Sequence, residues 1–230
     1  MRGFAVSLGF SRPTLFPIKT LTQLLKTVIP RRAKTAYRRQ REKKELRIWQ
    51  ESGQPAPPPH IVKQLAIRSY LPDFPYGVLV ETGTFRGAMV EAQLPYFERI
   101  YSIELGKELY EQAKTRFRRD RGVQILQGDS GLVLRELVPQ LREPAIFWLD
   151  GHYSGGVTAL GEKVSPVMEE ITTILSTTYP HVLLIDDARL FTGQGGYPTL
   201  EEVVTLVARL RPDYTFAQDS DSLRFTPPIR

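Results

Sequence analysis

The chain contains no cysteine among its 230 residues. That absence excludes disulfides, thiolate metal ligands and cysteine nucleophiles, and it is compatible with a reducing compartment. Long apolar runs are also missing, since no stretch of about 18 apolar residues predicts a membrane-spanning helix. The opening residues MRGFAVSLGF lack the long apolar region and the small-residue cleavage site of a secretory signal. We therefore expect a cytoplasmic protein.

Excess positive charge is absent from most of the chain. Residues 1–60 carry thirteen Lys and Arg against three Glu, whereas residues 61–230 carry eighteen basic and twenty-two acidic residues. The formal net charge of +6 therefore belongs to the N-terminal segment. A protein that binds nucleic acid specifically through its main body is not expected from this distribution.

The N-terminal segment is predicted to be an attachment to a single larger domain. We divide the chain into a basic, partly helical extension (1–54), a proline spacer (55–59) and a domain (60–230). Residues 31–52 are rich in basic residues and good helix formers but carry few apolar side chains. They fit a solvated helix or partly ordered tail, a peripheral contact with an anionic membrane or another polyanion, or an arm for a protein partner. The sequence leaves these three roles and the oligomeric state open.

From residue 77 onward, apolar strand-like runs alternate with helix-like segments. Five such runs are predicted to be strands, at 77–81, 99–105, 123–129, 145–151 and 181–187. The tail around Asp219 to Asp221 predicts two short antiparallel strands. This alternation predicts an α/β fold with a doubly wound, mainly parallel sheet and a C-terminal antiparallel hairpin.

Acidic residues end each of the first five predicted strands. They are Glu81, Glu104, Asp129, Asp150 and the pair Asp186 and Asp187. Because the carboxyl ends of parallel strands meet at one edge of a sheet, these side chains are expected to converge around one crevice. Carboxylates that converge repel one another unless a cation or hydrogen-bond donors lie between them.

The first strand ends in a glycine turn, VLVETGTFRG at 78–87, whose backbone N–H groups can lie against a ligand. Glu104 follows Gly83 by twenty-one residues, the usual place for an acid that binds ribose hydroxyls. Glu81 would repel the pyrophosphate of a nicotinamide dinucleotide, so a cofactor that presents a cation is favoured. S-adenosylmethionine fits, with its ribose at Glu104, its adenine at the turn 128–130 and its amino-acid group near the glycine turn.

These segments, ETGTFRG, SIEL, GDS and LDG, resemble the successive motifs of class I S-adenosylmethionine-dependent methyltransferases over about residues 76–226. The resemblance implies the Rossmann-like class I methyltransferase fold. Methyl transfer needs alignment of nucleophile, methyl group and sulfur, together with removal of one proton. The resemblance implies cofactor binding by Glu81, Thr82, Gly83, Thr84, Gly87, Glu104, Leu105, Gly128, Asp129, Ser130 and Asp150.

Two later segments, LDGHYSGG and LIDDARLF, are similar to those of the macrocin O-methyltransferase-like group, which methylates sugar hydroxyls. The resemblance implies a divalent cation, typically Mg²⁺, held by Asp150, Asp186 and Asp187. Hard oxygen ligands from adjacent strand ends suit Mg²⁺, and a bound metal can orient a hydroxyl and lower its pKa. A helix cap with a solvated acid is the alternative for Asp186 and Asp187.

His152 is the candidate general base, with Asp150 as the second candidate catalytic residue. The macrocin-like group often has an acidic residue at the position of His152, so a hydrogen-bonding role toward substrate or backbone stays open. Tyr153, Ser154 and Arg189 are candidate contacts of the acceptor. The glycine-rich residues 193–196 either close over the substrate or form an ordinary surface loop.

The two remaining histidines, His60 and His181, are expected to be structural or solvated.

The sequence therefore predicts an S-adenosylmethionine-dependent O-methyltransferase that acts on a small-molecule or sugar hydroxyl with divalent-cation assistance. An NAD-dependent oxidoreductase is one rival, which Glu81 disfavours. A non-catalytic methyltransferase-like scaffold that tethers partners through residues 1–52 is another. Methylation of a nucleic-acid base is disfavoured because no N/D-P-P-Y/F-like motif follows the fourth strand.

Overall fold

The computed structural model describes residues 31–72, 76–151 and 166–228. The chain forms two compact units, Met1–Lys44 and Glu45–Arg230. Helix α1 spans Arg31–Glu51, so the basic stretch is helical as predicted. The second unit begins before the proline spacer, and the indole of Trp49 is buried in it and donates from Nε1 to the carbonyl oxygen of Pro55 at 2.8 Å.

The second unit is built on a seven-stranded sheet in the order β3-β2-β1-β4-β5-β7-β6. Strands β1 to β5 are parallel, and β7 runs antiparallel to both β5 and β6. The strands are β1 (Val78–Thr82), β2 (Arg99–Glu104), β3 (Val123–Gln127), β4 (Ala145–Leu149), β5 (Val182–Ile185), β6 (Thr215–Asp219) and β7 (Ser222–Thr226). The predicted fold class, including the C-terminal hairpin, is confirmed.

Helices cover both faces of this sheet and enclose two apolar cores. One core packs α5, α6 and α7 against the sheet, and the other packs α2, α3 and α4 against the opposite face. The helices are α2 (His60–Arg68), α3 (Ala88–Gln93), α4 (Lys107–Phe117), α5 (Ser130–Leu137), α6 (Val167–Leu175) and α7 (Leu200–Leu210), with 3₁₀ turns at Val138–Gln140 and Ala188–Leu190. Among the described residues, no helix is long and apolar enough to cross a membrane.

Burial distinguishes the central strands from the edge strand β6. All residues of β1, β4 and β5 are buried, as expected for apolar strands covered by helices on both faces, whereas β6 is exposed and forms one edge of the sheet. Ser220 and Asp221 adopt φ values of 50° and 64° in the turn of the predicted hairpin. Helix α3 ends at Gln93, shortly before Pro95, which has no N–H to continue the helical hydrogen bonds.

The position of β4 beside β1 creates the crevice. The chain passes from β1 outward through β2 to β3 and then returns to place β4 on the other side of β1. At this reversal the helices that follow β1 and β4 pack on opposite faces of the sheet, and ligands of open α/β sheets bind beyond the carboxyl ends of the strands there. The two strands whose ends carry Glu81 and Asp150 therefore flank the expected site.

His181 is a structural residue, as predicted. Its Nδ1 accepts a hydrogen bond from the backbone N–H of Ala145 at 3.0 Å, and its Nε2 lies 2.9 Å from the hydroxyl of Thr177. The imidazole is buried, and burial together with the charge of Arg211 lowers its pKa to about 4. It is therefore neutral in the native protein at neutral pH.

We expect His181 to make the protein sensitive to mild acid. The unfolded chain binds a proton on this imidazole below about pH 6.5, whereas the native imidazole resists protonation down to about pH 4. The free energy of unfolding should then fall by up to about 3 kcal/mol over this interval. Urea denaturation at a series of pH values should show this slope in the wild type and a shallower slope in His181→Gln, with His60→Gln as control. Parallel slopes for His181→Gln and the wild type would contradict the assignment.

Candidate active site

The loops after β1 and β4 touch at a glycine. Gly83 has φ of +85°, and a Cβ atom at this position would lie 2.4 Å from the carbonyl oxygen of Asp150. The N–H groups of Gly83 and Thr84 both donate to the carbonyl oxygen of Ile103, at 2.9 and 3.1 Å. Only glycine therefore fits the turn, which is fixed against both neighbouring strands.

Glu81 is a buried carboxyl group at the end of β1. Its side chain is 3% exposed, and Oε2 accepts a hydrogen bond from the hydroxyl of Ser102 at 2.6 Å. The hydroxyl of Thr84 lies 2.6 Å from the same Ser102 oxygen. Burial, with a smaller contribution from Glu104, raises the pKa of Glu81 to about 8, although the Ser102 hydrogen bond acts in the opposite direction. A cationic ligand next to Glu81 would restore its ionised form.

Glu104 holds the glycine turn in place. One carboxylate oxygen accepts from the N–H of Phe85 at 2.7 Å, and the other accepts from the N–H of Gly106 at 2.8 Å. Phe85 adopts φ of 48°, so this hydrogen bond stabilises an unusual backbone conformation. A carboxylate has about four acceptor positions, so two remain for a further donor such as a hydroxyl.

A cavity of about 270 Å³ opens where these elements meet. It contains four of the predicted cofactor residues, Glu81, Gly83, Thr84 and Asp150. The other lining residues come from the spacer, α2, the β1 loop, α3 and β4, and they are Pro58, His60, Lys63, Phe85, Ala88, Met89 and Trp148.

The other predicted cofactor residues lie around this cavity without lining it. Asp129 caps α5 by accepting from the N–H of Leu132 at 3.3 Å, and the N–H of Gly128 donates to the carbonyl oxygen of Glu104 at 3.0 Å. The carbonyl oxygen of Leu105 accepts from the side-chain amide of Gln127 at 3.2 Å.

Two more predicted residues, Thr82 and Ser130, converge on the start of the β4 loop. A Cβ atom at Gly151 would lie 2.8 Å from the hydroxyl oxygen of Thr82 and 3.3 Å from that of Ser130. Gly87 packs against Phe117, since a Cβ atom there would lie 2.5 Å from the ring, and its predicted contact with the cofactor stays a prediction.

The acids after β4 and β5 form a second group, which we call the acidic cluster: Asp150, Asp186 and Asp187. Asp186 and Asp187 are 2% and 8% exposed. The ammonium group of Lys63 forms a hydrogen-bonded ion pair with Oδ2 of Asp186 and lies 3.7 Å from Oδ1 of Asp187. Burial alone would lower the pKa of Lys63, but the charges of Asp186, Asp150 and Asp187 together outweigh it and raise this pKa. Lys63 is therefore a permanent cation inside the acidic cluster.

Two further donors contact Asp186 and Asp187. Oδ1 of Asp186 accepts from the N–H of Asp187 at 2.8 Å. Asp187 adopts a left-handed backbone conformation with φ of 55°. Oδ1 of Asp187 accepts from the guanidinium of Arg189 at 2.7 Å. Arg189 also pairs with Asp221 in the β6–β7 turn. The predicted acceptor contact Arg189 thus joins the acidic cluster to the C-terminal hairpin.

This arrangement does not fit the Mg²⁺ ion implied by the sequence resemblance. Among the described residues, no group of three or more His, Asp and Glu side chains could hold a metal ion. The ammonium of Lys63 contacts the carboxylates that would be the ligands. A divalent ion about 4 Å from this ammonium would be repelled by about 8 kcal/mol at an effective dielectric constant of about 20. Two of the three predicted ligands, Asp186 and Asp187, are thus paired with protein cations.

The predicted base His152, with Tyr153 and Ser154, lies outside the described residues, so these assignments stay predictions. The glycine-rich residues 193–196 are described and border a second cavity of about 530 Å³. A bridge between Thr192 and Thr199 closes their loop. Tyr197 lines this cavity, and burial with the charges of Asp187 and Asp150 raises its pKa to about 12.

Sequence reasoning missed Lys63, Phe85 and Trp148. Phe85 lies in the motif ETGTFRG and Trp148 in the predicted strand at 145–151, so both stand close in the chain to predicted site residues. Lys63 is 123 residues from Asp186 and comes from a helix that precedes the sheet. Crowded carboxylates need a cation or donors nearby, which predicts that some basic residue approaches them. This rule does not say which basic residue of the chain does so.

Several solved structures share this architecture. The O-methyltransferase from Bacillus cereus in complex with SAH gives a TM-score of 0.54 at 12% identity, covering 90% of this chain and 97% of that chain. The methyltransferase PaMTH1 from Podospora anserina gives 0.51 at 13% identity, covering 96% of this chain and 100% of that chain. The O-methyltransferase TomG from Streptomyces achromogenes gives 0.50 at 17% identity, covering 81% of this chain and 89% of that chain.

The chain has a Rossmann-like methyltransferase fold. Its neighbours in structure are S-adenosylmethionine-dependent methyltransferases, including O-methyltransferases. At these identities the likeness shows the fold alone, and it does not confirm the macrocin-like group. No protein-family model and no curated protein sequence matches the chain. Within this methyltransferase fold, the described cavity lies at the carboxyl ends of β1 and β4.

We expect Gly83→Ala to destabilise the protein strongly. A Cβ atom would overlap main-chain atoms of the β4 loop, and alanine at a positive φ costs about 1–2 kcal/mol in addition. The free energy of unfolding should therefore fall by more than about 3 kcal/mol in urea denaturation.

Gly195→Ala is the matched control for Gly83→Ala. Gly195 also has a positive φ of +61°, but a Cβ atom there meets nothing within 4 Å. Its loss of stability should be limited to the conformational cost of about 1–2 kcal/mol. Equal losses for the two variants would show that the contact between the β1 and β4 loops is not tight.

Proposed function

We propose that this protein is an S-adenosylmethionine-dependent methyltransferase that methylates a hydroxyl group of a small molecule, with a sugar as one acceptor class. The observation that carries the proposal is the buried, easily protonated Glu81 beside a glycine turn in a cavity of about 270 Å³. Burial keeps Glu81 in its neutral, protonated form, and a positively charged ligand would convert it into an ion-paired carboxylate. S-adenosylmethionine carries an ammonium and a sulfonium group.

Groups in and next to the cavity support the same cofactor. Glu104 does not line the cavity but accepts from the N–H of Phe85 in its wall, and it retains acceptor positions that suit the two hydroxyls of a ribose. Phe85 and Trp148 supply flat apolar surface at the cavity wall. The pyrophosphate of NAD is an anion, so it would hold Glu81 in its neutral form and gain no ion pair from it, and the oxidoreductase alternative is therefore disfavoured.

An oxygen acceptor is supported by one observation. Two neighbours with TM-scores of at least 0.50, from Bacillus cereus and Streptomyces achromogenes, are O-methyltransferases. His152 remains the proposed base that removes the hydroxyl proton, with Asp150 next to the transferring methyl group. The residues of the chain align the reactants and take up a proton, and the sulfonium itself supplies the activated methyl group.

We do not propose divalent-cation assistance, because Lys63 and Arg189 pair with two of the three predicted ligands, Asp186 and Asp187. Contact of α1 with an anionic membrane remains a separate proposal. It is supported by nine basic and three acidic residues in Arg31–Glu51. Sedimentation with vesicles of anionic and of neutral lipid would test it, and equal binding to both would argue against it.

Calorimetric titration with S-adenosylmethionine, S-adenosylhomocysteine and NAD⁺ tests the cofactor. We expect saturable binding of the first two ligands and no heat with NAD⁺. Methyl transfer from labelled S-adenosylmethionine to hydroxylated small molecules then tests the reaction, with His152→Ala lowering the rate by about 10²-fold or more if His152 is the base. Binding of NAD⁺ alone would establish the rival oxidoreductase, and an absence of binding by all three would favour a non-catalytic scaffold.

The pH dependence of binding isolates the role of Glu81. Because a cationic ligand binds best to the ionised carboxylate, binding below pH 8 must release a proton. Affinity for S-adenosylmethionine should therefore rise by up to about tenfold per pH unit between pH 6.5 and 8.

Glu81→Gln should weaken this binding by about tenfold or more and remove its dependence on pH. Glu136→Gln, on the exposed face of α5, should behave as the wild type. Titrations in buffers of different ionisation enthalpy count the released protons directly. A wild-type affinity that does not change with pH would overturn the assigned role of Glu81.

A further inference from the structure

We propose that the ammonium group of Lys63 is the resident cation of the acidic cluster and occupies the place of a divalent metal ion. The inference rests on the contacts of Lys63, and its bearing on methyl transfer rests on the proposed function. The carboxylates of Asp186 and Asp187 thus face an ammonium group of the protein in place of a hydrated metal ion.

Charge balance is the first argument. The acidic cluster has three carboxyl groups, two of them nearly inaccessible to solvent. Lys63 contacts Asp186 and Asp187, and Arg189 also contacts Oδ1 of Asp187. These two protein cations offset part of the negative charge, and Arg189 shares its charge with Asp221. Buried carboxylates without such partners would take up protons or bind an external cation instead.

The rigid placement of α2 is the second argument. Arg68 on α2 donates to the side chain of Gln93 at 3.1 Å and to the carbonyl oxygen of Ala92 at 2.8 Å, both at the end of α3. The amide of Gln93 in turn donates to the carbonyl oxygen of Gln64 at 3.2 Å. These hydrogen bonds hold α2 against α3 at Gln64 and Arg68, close to Lys63 in the chain. The packing of α2 therefore directs the ammonium group of Lys63 toward the acidic cluster.

The connection to the cofactor cavity is the third argument. Lys63 lines the same cavity as Glu81, Gly83 and Asp150. An ammonium group has three N–H donors, and the hydrogen bond to Asp186 uses one of them. Lys63 can therefore offer a donor to an oxygen atom of a bound ligand. It acts as a positioning residue, because it orients Asp186 and presents fixed charge beside the reactants.

Titration of the full chain with Mn²⁺, followed by electron paramagnetic resonance of the free ion, tests the inference without reference to catalysis. We expect the wild type to bind Mn²⁺ no more tightly than about 1 mM, as weak oxygen sites do. Lys63→Met, which keeps the length of the side chain but not its charge, should bind at least about tenfold more tightly. Mg²⁺ should then raise the melting temperature of Lys63→Met but not of the wild type.

Lys107→Met, at an exposed lysine at the start of α4, is the matched control and should bind as the wild type does. If Lys63→Met fails to fold, Lys63→Gln replaces it, because glutamine keeps a donor for Asp186. Binding of Mn²⁺ by the wild type below about 100 μM would overturn the inference. Indistinguishable binding by the wild type and the uncharged variant would overturn it as well.

Activity gives an independent readout. Once an acceptor is found, chelation of divalent ions should leave the wild-type rate unchanged, and Lys63→Met should regain rate on addition of Mg²⁺. Loss of wild-type activity on chelation would overturn the inference while leaving the methyltransferase assignment intact. Absence of any methyl transfer would overturn the proposed function, and the Mn²⁺ measurements would still decide the role of Lys63.

Discussion

Crowding of carboxylates at one edge of a parallel sheet is the constraint on which the site depends. Parallel strands deliver their last residues to the same edge, so acids at successive strand ends must find donors or cations. The chain meets this need locally. Glu104 accepts two backbone N–H groups, Asp129 caps a helix, and Asp186 accepts from the N–H of Asp187. Each of these hydrogen bonds also fixes a loop.

The acids at the end of β1 and those after β5 meet the constraint differently. Among the described residues, Glu81 at the end of β1 accepts from the neutral hydroxyl of Ser102, and its carboxyl group resists ionisation. Beyond β5, the acids already have protein cations beside them. One end is therefore prepared for an incoming cation, and the other has one built in. This asymmetry agrees with a cationic cofactor on the β1 side and a neutral acceptor near Asp186.

The sequence predicted the strands, their order of appearance and the glycine turn, because buried parallel strands have continuous apolar runs and the turn needs glycine. It also predicted that strand-end acids would gather. It did not predict which cation would join them. Lys63 stands in a short helix with no motif, and its approach to Asp186 depends on how α2 packs across the finished sheet. Gly87 shows the same limit, since a motif glycine turned out to make room for the ring of Phe117.

The short chain of hydroxyl groups from Glu81 through Ser102 to Thr84 has a direction that the cofactor can set. When Glu81 is ionised, Ser102 must donate its only proton to the carboxylate, and Thr84 must donate to Ser102. When Glu81 is protonated, it can donate to Ser102, which can then donate to Thr84. Thr84 lines the cavity, so its proton is then available to a ligand. The charge of the ligand thus decides whether the wall beside it presents a donor or an acceptor.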